Sequence, residues 1–380
     1  MKICAIICEY NPFHNGHLYQ LREAKRLSGA DAILCVMSGN FVQRGEAAIL
    51  DKYTRAKHAI LAGADIVIEL PTPFSTSNAE LFAKGAISLL SSIPSVETLC
   101  FGAENANKIA FLSAARYLNN EPAEVSLKLK EIVKKGESYA KARAQAWAGF
   151  IPLELLCSPN NILGLEYTKA ILAKGSSIQI LPIERIGSAY NDKKLNEEYS
   201  SASAIREAIK KNEGYEMSVP PFVFPDLPNR LENRLDFLEK YAILTRPTED
   251  IAKICDCSEG LENAFKKAAE SIASLVETLT SARYTSSRIR RIALQNLLTI
   301  EEVFIRECLH APLYLRVLAA KKGSTELLSE LANSPYPIIA RAHDENALSG
   351  IAKQCYEKDI FAEKIYNLLY DASKQHNLFL

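Results

Sequence analysis

The chain has 380 residues, 48% of them hydrophobic and 24% charged, and its 45 basic side chains balance 45 acidic ones to a formal net charge of zero. Such a length exceeds one ordinary core and predicts two or three packed units, while the charge balance excludes a global basic field, so any nucleic-acid surface must be local. No basic segment followed by a cleavable apolar stretch opens the chain and no apolar run is long enough to span a bilayer, which predicts a cytoplasmic protein without a membrane partner.

The first element is a strand over residues 3–8, ICAIIC, long enough to be buried in a parallel sheet. Asn11-Pro12 stops it, because proline removes a donor and biases the residue before it towards extended geometry. From His17, the residues Leu18, Leu21, Ala24 and Leu27 recur at helical spacing until Gly29. His14-Asn15-Gly16-His17 therefore lies where a first strand hands over to a helix, the ligand-binding edge of an open parallel sheet. A helix N-terminus there favours phosphate, and Gly16 permits close backbone approach. Three residues apart, His14 and His17 can donate to one phosphate oxygen as charge develops on it. The competing readings are a capping histidine beside a core histidine, and a zinc pair. No third ligand stands at suitable spacing for zinc, and no metal site is assigned.

Further strands are predicted over 32–37, 65–70 and 96–101, with helices over 17–29, 51–63 and 78–92 between them. Alternation of this kind predicts a Rossmann-like, doubly wound α/β unit. Helices over 107–118 and 123–148, another over 164–173, a strand over 178–182 and a helix from Ser203 extend that unit to about residue 215. VPPFVFPDLP (219–228) holds four prolines in ten residues, which blocks helix and central strand alike and places the domain connection there. Beyond it, helices are predicted over 230–244, 258–279, 286–299, 324–333 and 345–370, with one short strand over 314–319. The expected division is residues 1–215, a nucleotide-binding catalytic unit, and 216–380, a mainly α-helical unit. Cys4, Cys8, Cys35 and Cys100 sit in apolar runs and read as small core residues of a reducing compartment, while Cys255-Asp256-Cys257 lacks the second pair a metal centre would need.

Several other positions carry potential chemistry. Gln43 and Arg44 occupy a glycine-bracketed loop after the second strand, with the cation available to a phosphate or carboxylate unless it is simply solvated. Gly102 ends the fourth strand beside the first, where a base or ribose could pack on backbone. Asn160 and Asn161 enter a helix, one suited to capping and the other to a ligand. Arg185 follows the fifth strand, and Ser203 with Arg206 opens the next helix as a second anion site or as a plain serine cap. Residues 281–300 contain four arginines and no acid; Arg288 and Arg291 would share a helix face with Arg290 to the side, and Arg283 and Tyr284 precede it. A basic face of this kind either binds RNA backbone, with Tyr284 stacking on an unpaired base, or is a solvated surface.

EYNPFHNGH at 9–17, MSGNFVQRGE at 37–46, ADIVIELP at 64–71, SPNNILGLEY at 158–167 and ARYTSSRIRR at 282–291 together resemble the bacterial tRNA(Met) cytidine acetate ligase family, within the HxGH nucleotidyltransferase-like superfamily. The blocks span about three quarters of the chain. The resemblance implies a nucleotidyltransferase-like fold with a helical tRNA-binding part, and a carbon–nitrogen ligase that uses ATP and acetate as co-substrate; Mg2+ on the ATP phosphates is expected on chemical grounds. It implies elongator tRNA(Met) as partner, acetyl-adenylate as intermediate, and AMP and pyrophosphate as products. Carried over residue by residue, it places His14 and His17 in catalysis. ATP would be held by Ile7, Cys8, Glu9, Tyr10, Asn11, Pro12, Phe13, His14, Asn15, Gly16, His17, Leu18, Tyr19 and Gln20, then Gly102, Asn160 (with Asn161 the alternative), Arg185, Ser203 and Arg206. Gln43, Arg44, Arg283, Tyr284, Arg288 and Arg291 would meet substrate and tRNA. Two other classes fit parts of the pattern. A small-molecule nucleotidyltransferase is disfavoured by the arginine-rich second part, and a non-catalytic tRNA-binding protein by the intact His14, Gly16 and His17. A synthetase proper is disfavoured because no KMSKS-like lysine loop is present.

Overall fold

A computed structural model of the chain describes residues 1–136, 139–186, 198–228, 234–370 and 378–379. Strands β1 (Ile3–Cys8), β2 (Ala32–Ser38), β3 (Ile66–Leu70), β4 (Val96–Ala103) and β5 (Gln179–Glu184) run parallel in the order β3-β2-β1-β4-β5. The central strands β1 and β2 are near-continuous apolar runs because both of their faces are covered. Ile3, Ala5 and Ile7 join one core with Leu34 and Val36, while Cys4 and Ile6 join the other with Ile33, Cys35 and Met37. With β2 on one side of β1 and β4 on the other, the strand order reverses at β1. The crevice beyond its C-terminal end is the ligand position of such sheets.

Five helices bear on that edge: α1 (Asn15–Ser28), α2 (Lys52–Leu61), α3 (Ala79–Ser91), α4 (Pro159–Lys174) and α5 (Ala202–Lys211). Gly29 closes α1 in the left-handed conformation, and Asp51, Asn78 and Ser201 cap α2, α3 and α5 through their side chains. The helix expected over 123–148 is two helices, Ala123–Lys134 and Tyr139–Trp147, broken after Gly136 turns to φ 87°.

The proline-rich stretch is not an open tether. It forms short turns and buries Val219, Val223 and Leu227 in the same core as Ile6 and Tyr10. Helices Leu235–Thr245, Leu261–Ala269, Leu275–Leu279 and α6 (Ser286–Leu297) then enclose a separate core around Ile243, Phe265, Ile289 and Ile292. Where one helix was expected over 258–279 there are two, and residues 230–233 of the segment 230–244 lie outside the described residues.

The chain does not stay in that helical unit. After Glu302–His310, a helix the apolar spacing had not suggested, β6 (Leu315–Ala320) pairs antiparallel with β3, and α7 (Gly350–Tyr370) packs Ala362 and Tyr366 into the core beside β1. Residues 315–370, placed with the second unit by a division at 215/216, thus complete the sheet of the first. Two physical causes are visible. All six residues of β6 are buried, so the strand covers the edge that β3 would otherwise expose. A buried ion network also spans the junction, with Lys52 Nζ 2.9 Å from both Glu69 and Glu363, and Arg316 3.1 Å from Glu69 and 3.2 Å from Glu363. No helix among the described residues is long and apolar enough to cross a membrane.

Candidate functional site

The turn after β1 is held from below. Arg55 of α2 is fully buried and its guanidinium donates to the carbonyls of Glu9, Ser38, Gly39 and Leu50, satisfying strand-end acceptors of β1 and β2 at once. Tyr10 takes the left-handed conformation at φ 49°, the Asn11-Pro12 bond is cis, and Phe13 packs edge-on to Tyr10 with ring centroids 4.7 Å apart. His14 is then the cap of α1. Its Nδ1 accepts from the Gly16 amide at 3.1 Å, and His17 Nδ1 accepts from the His14 amide at 3.3 Å. With both Nδ1 atoms acting as acceptors, each neutral imidazole carries its proton on Nε2, the donor left for the cleft. The rings stack at 3.6 Å. Burial, then Arg185 and Arg206, pushes His14 down to about 3, and burial followed by His14 itself holds His17 well below the ordinary imidazole value. Both are uncharged donors at neutral pH. A Cβ on Gly16 would lie 3.0 Å from His14 Cε1, so any side chain there requires the imidazole to give way.

One cleft along the sheet edge gathers side chains far apart in sequence. Ile7, Cys8, Glu9, Tyr10, Asn11, His14, His17 and Gln20 line it from β1 and α1, with Gln43, Arg44 and Glu46 from the loop after β2. Gly102, Asn160, Arg185, Ser203 and Arg206 close it from the other side. The first turns of α1, α4 and α5 therefore face one space, although in α4 the amides of Asn160 and Asn161 are already taken by the Glu104 carboxylate. A smaller recess adjoins it, lined by Gly16, Tyr19, Gln20, Gly102, Arg185 and Tyr199. Arg206 donates to Asn11 O at 2.7 Å and reaches Glu46 at 3.4 Å, and Ser201 caps α5 through the Ala204 amide.

Not every residue of the turn reaches the cleft. Pro12 and Phe13 are buried beneath it, Leu18 packs against the core, and Asn15 donates to the carbonyls of Glu198 and Met217. The two asparagines separate cleanly. Asn161 is fully buried with Oδ1 accepting from the amides of Glu104 and Asn105, whereas Asn160 faces the cleft and donates to Glu104 at 2.7 Å. Sequence reasoning missed Arg55, whose position in α2 looks like an ordinary helix surface. It also missed the apolar wall of Phe82, Phe101, Leu163 and Tyr167, whose helical and strand spacing signals only core.

The arginine segment is less free than its sequence neighbourhood implies, because acids arrive from elsewhere. Arg288 donates to Asp256 O at 3.0 Å and Arg291 lies 3.3 Å from the Asp256 carboxylate, so this pair holds the loop at 256–259. Arg283 pairs with Glu259 at 2.6 Å while its side chain stays two-thirds exposed, and it lies over the Tyr284 ring. Arg290, the member off to the side, reaches Glu46 on the cleft rim at 3.2 Å. Gly45, at φ 73°, allows this approach, since a Cβ there would stand 2.5 Å from the backbone of Arg290 and Arg291. The basic helix thus abuts the cleft. Cys255 and Cys257 belong to two different cores, and burial pushes both thiols up to about 12.

A model of the HIGH nucleotidyl transferase family matches residues 1–378. The tRNA(Met) cytidine acetate ligase of Thermoanaerobacter sp. (strain X514) is 41% identical, the match covering 98% of this chain and 96% of that protein. Two crystal structures of Thermotoga maritima TmcAL superpose over the full length of both chains. The apo form has a TM-score of 0.91 at 31% identity, and the form bound with alpha-thio ATP has 0.89 at 32%.

Proposed function

The chain belongs to the tRNA(Met) cytidine acetate ligase family of HIGH nucleotidyltransferases, and from that premise we propose that it forms N4-acetylcytidine at the wobble position of elongator tRNA(Met) from free acetate and ATP. ATP enters as its magnesium complex. An acetate oxygen attacks the α-phosphorus, pyrophosphate leaves, and acetyl-adenylate remains in the cleft. The exocyclic amine of cytosine then attacks the acetyl carbonyl and AMP leaves. Such chemistry belongs in the cytoplasm, with tRNA and ATP at hand.

The observation that carries this reading is the reciprocal capping of His14 and His17, which leaves two neutral Nε2–H donors at a helix N-terminus on the sheet's switch point. Preorganised neutral donors meet charge as it develops on the α-phosphate without a reorganisation cost. Arg185 and Arg206 hold phosphate or adenine, and the amides of α1 and α5 add to the same field. Asn160 and Gly102 line the ATP side. Gln43 and Arg44 line the acceptor side, and tRNA backbone meets Arg283 and Tyr284, with Arg288 and Arg291 shaping that surface through Asp256.

Incubation of the purified protein with tRNA, ATP and labelled acetate tests the reading. Nucleoside mass spectrometry should find acetylcytidine, accompanied by AMP and pyrophosphate. Release of ADP, or a strict need for acetyl-coenzyme A, would refute it.

A further inference from the structure

Transfer of the acetyl group demands that a proton leave the attacking amine, and the cleft contains few groups able to take it. His14 and His17 cannot, since their Nδ1 atoms are occupied by backbone amides and their Nε2 atoms already carry protons. Arg44, Arg185 and Arg206 are permanently cationic. Glu46 is shared between Arg206 at 3.4 Å and Arg290 at 3.2 Å. Glu9 remains. It follows β1 directly, its backbone is pinned by Arg55, and its Oε1 accepts from the Gln43 amide at 2.8 Å. No described residue hydrogen-bonds its Oε2, and the side chain lines the cleft between the α1 histidines and the Gln43–Arg44 loop.

We propose that Glu9 is the general base of the transfer half-reaction, a role that rests on the ligase reading above. The cytosine N4 lone pair forms the new bond to the acetyl carbonyl carbon, and the bond from that carbon to the AMP oxygen breaks, with AMP keeping the electron pair. The proton displaced from N4 passes to Glu9 Oε2 and then to solvent. The anchored Oε1 fixes the carboxylate's orientation, so only the second oxygen has to meet substrate. Burial raises the Glu9 carboxyl above its usual range, moderated by the Gln43 amide and by Arg206, Arg44 and Arg55, the charged groups facing it; a stronger base results.

The test separates the two half-reactions. Acetate-dependent ATP–pyrophosphate exchange reports adenylate formation, and single-turnover transfer of labelled acetate to tRNA reports the second step. A positioned base contributes roughly 10²–10⁴-fold, so Glu9→Gln, which keeps an acceptor for the Gln43 amide, should slow transfer at least ~100-fold while exchange falls far less. Wild-type transfer should fall as pH drops through the Glu9 titration, Glu9→Asp should keep that dependence at reduced rate, and Glu9→Gln should lose it. Equal losses in exchange and transfer would overturn the proposal and make Glu9 a holder of ATP, its magnesium or the cleft's shape. Transfer that survives Glu9→Gln would overturn it as well. Failure of the ligase reading looks different, since the wild-type protein would then form no acetylcytidine and both claims would fall together.

Discussion

Replacing His14 removes two things at once, and the structure allows them to be measured separately. As the cap of α1, its Nδ1 satisfies the Gly16 amide, and loss of a side-chain cap costs about 1 kcal/mol of stability. As a preorganised donor, its Nε2–H is worth ~3 kcal/mol in the transition state, or about a hundredfold in rate. His14→Ala should therefore lower stability in urea by about 1 kcal/mol and acetate-dependent pyrophosphate exchange by about a hundredfold. His14→Asn restores a good cap but has no Nε2. It should recover stability to within roughly 0.5 kcal/mol of wild type while exchange stays low. The pH dependence offers a second check. His14 is held at about 3 in the fold against 6.5 for the free imidazole, so the unfolded chain binds the extra proton. Its contribution to stability is full above 6.5 and is lost as pH falls towards 3, and His14→Asn should remove that component from the acid limb. Exchange that recovers in His14→Asn, or that tracks stability across the three proteins, would refute the donor role.

Gly16→Ala should also slow exchange with little change in tRNA affinity, because the new Cβ meets His14 Cε1 at 3.0 Å and must displace the ring; an unchanged rate would show that the imidazole position is tolerant. Glu69→Gln should destabilise by roughly 3–5 kcal/mol, since among the described residues it leaves Glu363 as the one carboxylate at ion-pair distance from the buried Lys52 and Arg316, and urea titration should find Glu69→Leu combined with Lys52→Leu less damaging than either single change. Arg283→Ala should flatten the salt dependence of tRNA binding by about 0.7–0.9 on a log–log slope, with pyrophosphate exchange less affected than affinity. Arg291→Ala should instead lower thermal stability, because Asp256 loses a partner that is itself largely buried.

Much of the first unit is legible from local signals. The strand at residues 3–8 is found over Ile3–Cys8, and the helix inferred from Leu18, Leu21, Ala24 and Leu27 is α1. Both follow from period and punctuation, which act over a few residues and need no tertiary knowledge. His14, Gly16 and His17 were visible for the same reason, as a strand, turn and helix N-terminus lie consecutively in the chain. Asn160 and Asn161 were not separable, because adjacent residues share every local signal and only the packing of α4 against the Glu104 loop buries one of them.

The arginine segment marks the same limit. Its sequence lacks acids from 281 to 300, yet Asp256, Glu259 and Glu46 arrive from other parts of the fold and decide which guanidinium groups hold the structure and which face solvent. The return of residues 315–370 to the sheet had no local signature either. A short apolar strand can pair with any open edge, and β6 found its partner because β3 offered one while Lys52, Glu69, Arg316 and Glu363 could neutralise one another only when brought together. Periodicity, turns and motifs are properties of neighbouring residues, and the sequence alone determined those: the α/β start, the histidine turn and the family. Which distant charges meet is set by the energetic demand that buried ions and strand edges be partnered, and only the tertiary structure decided that.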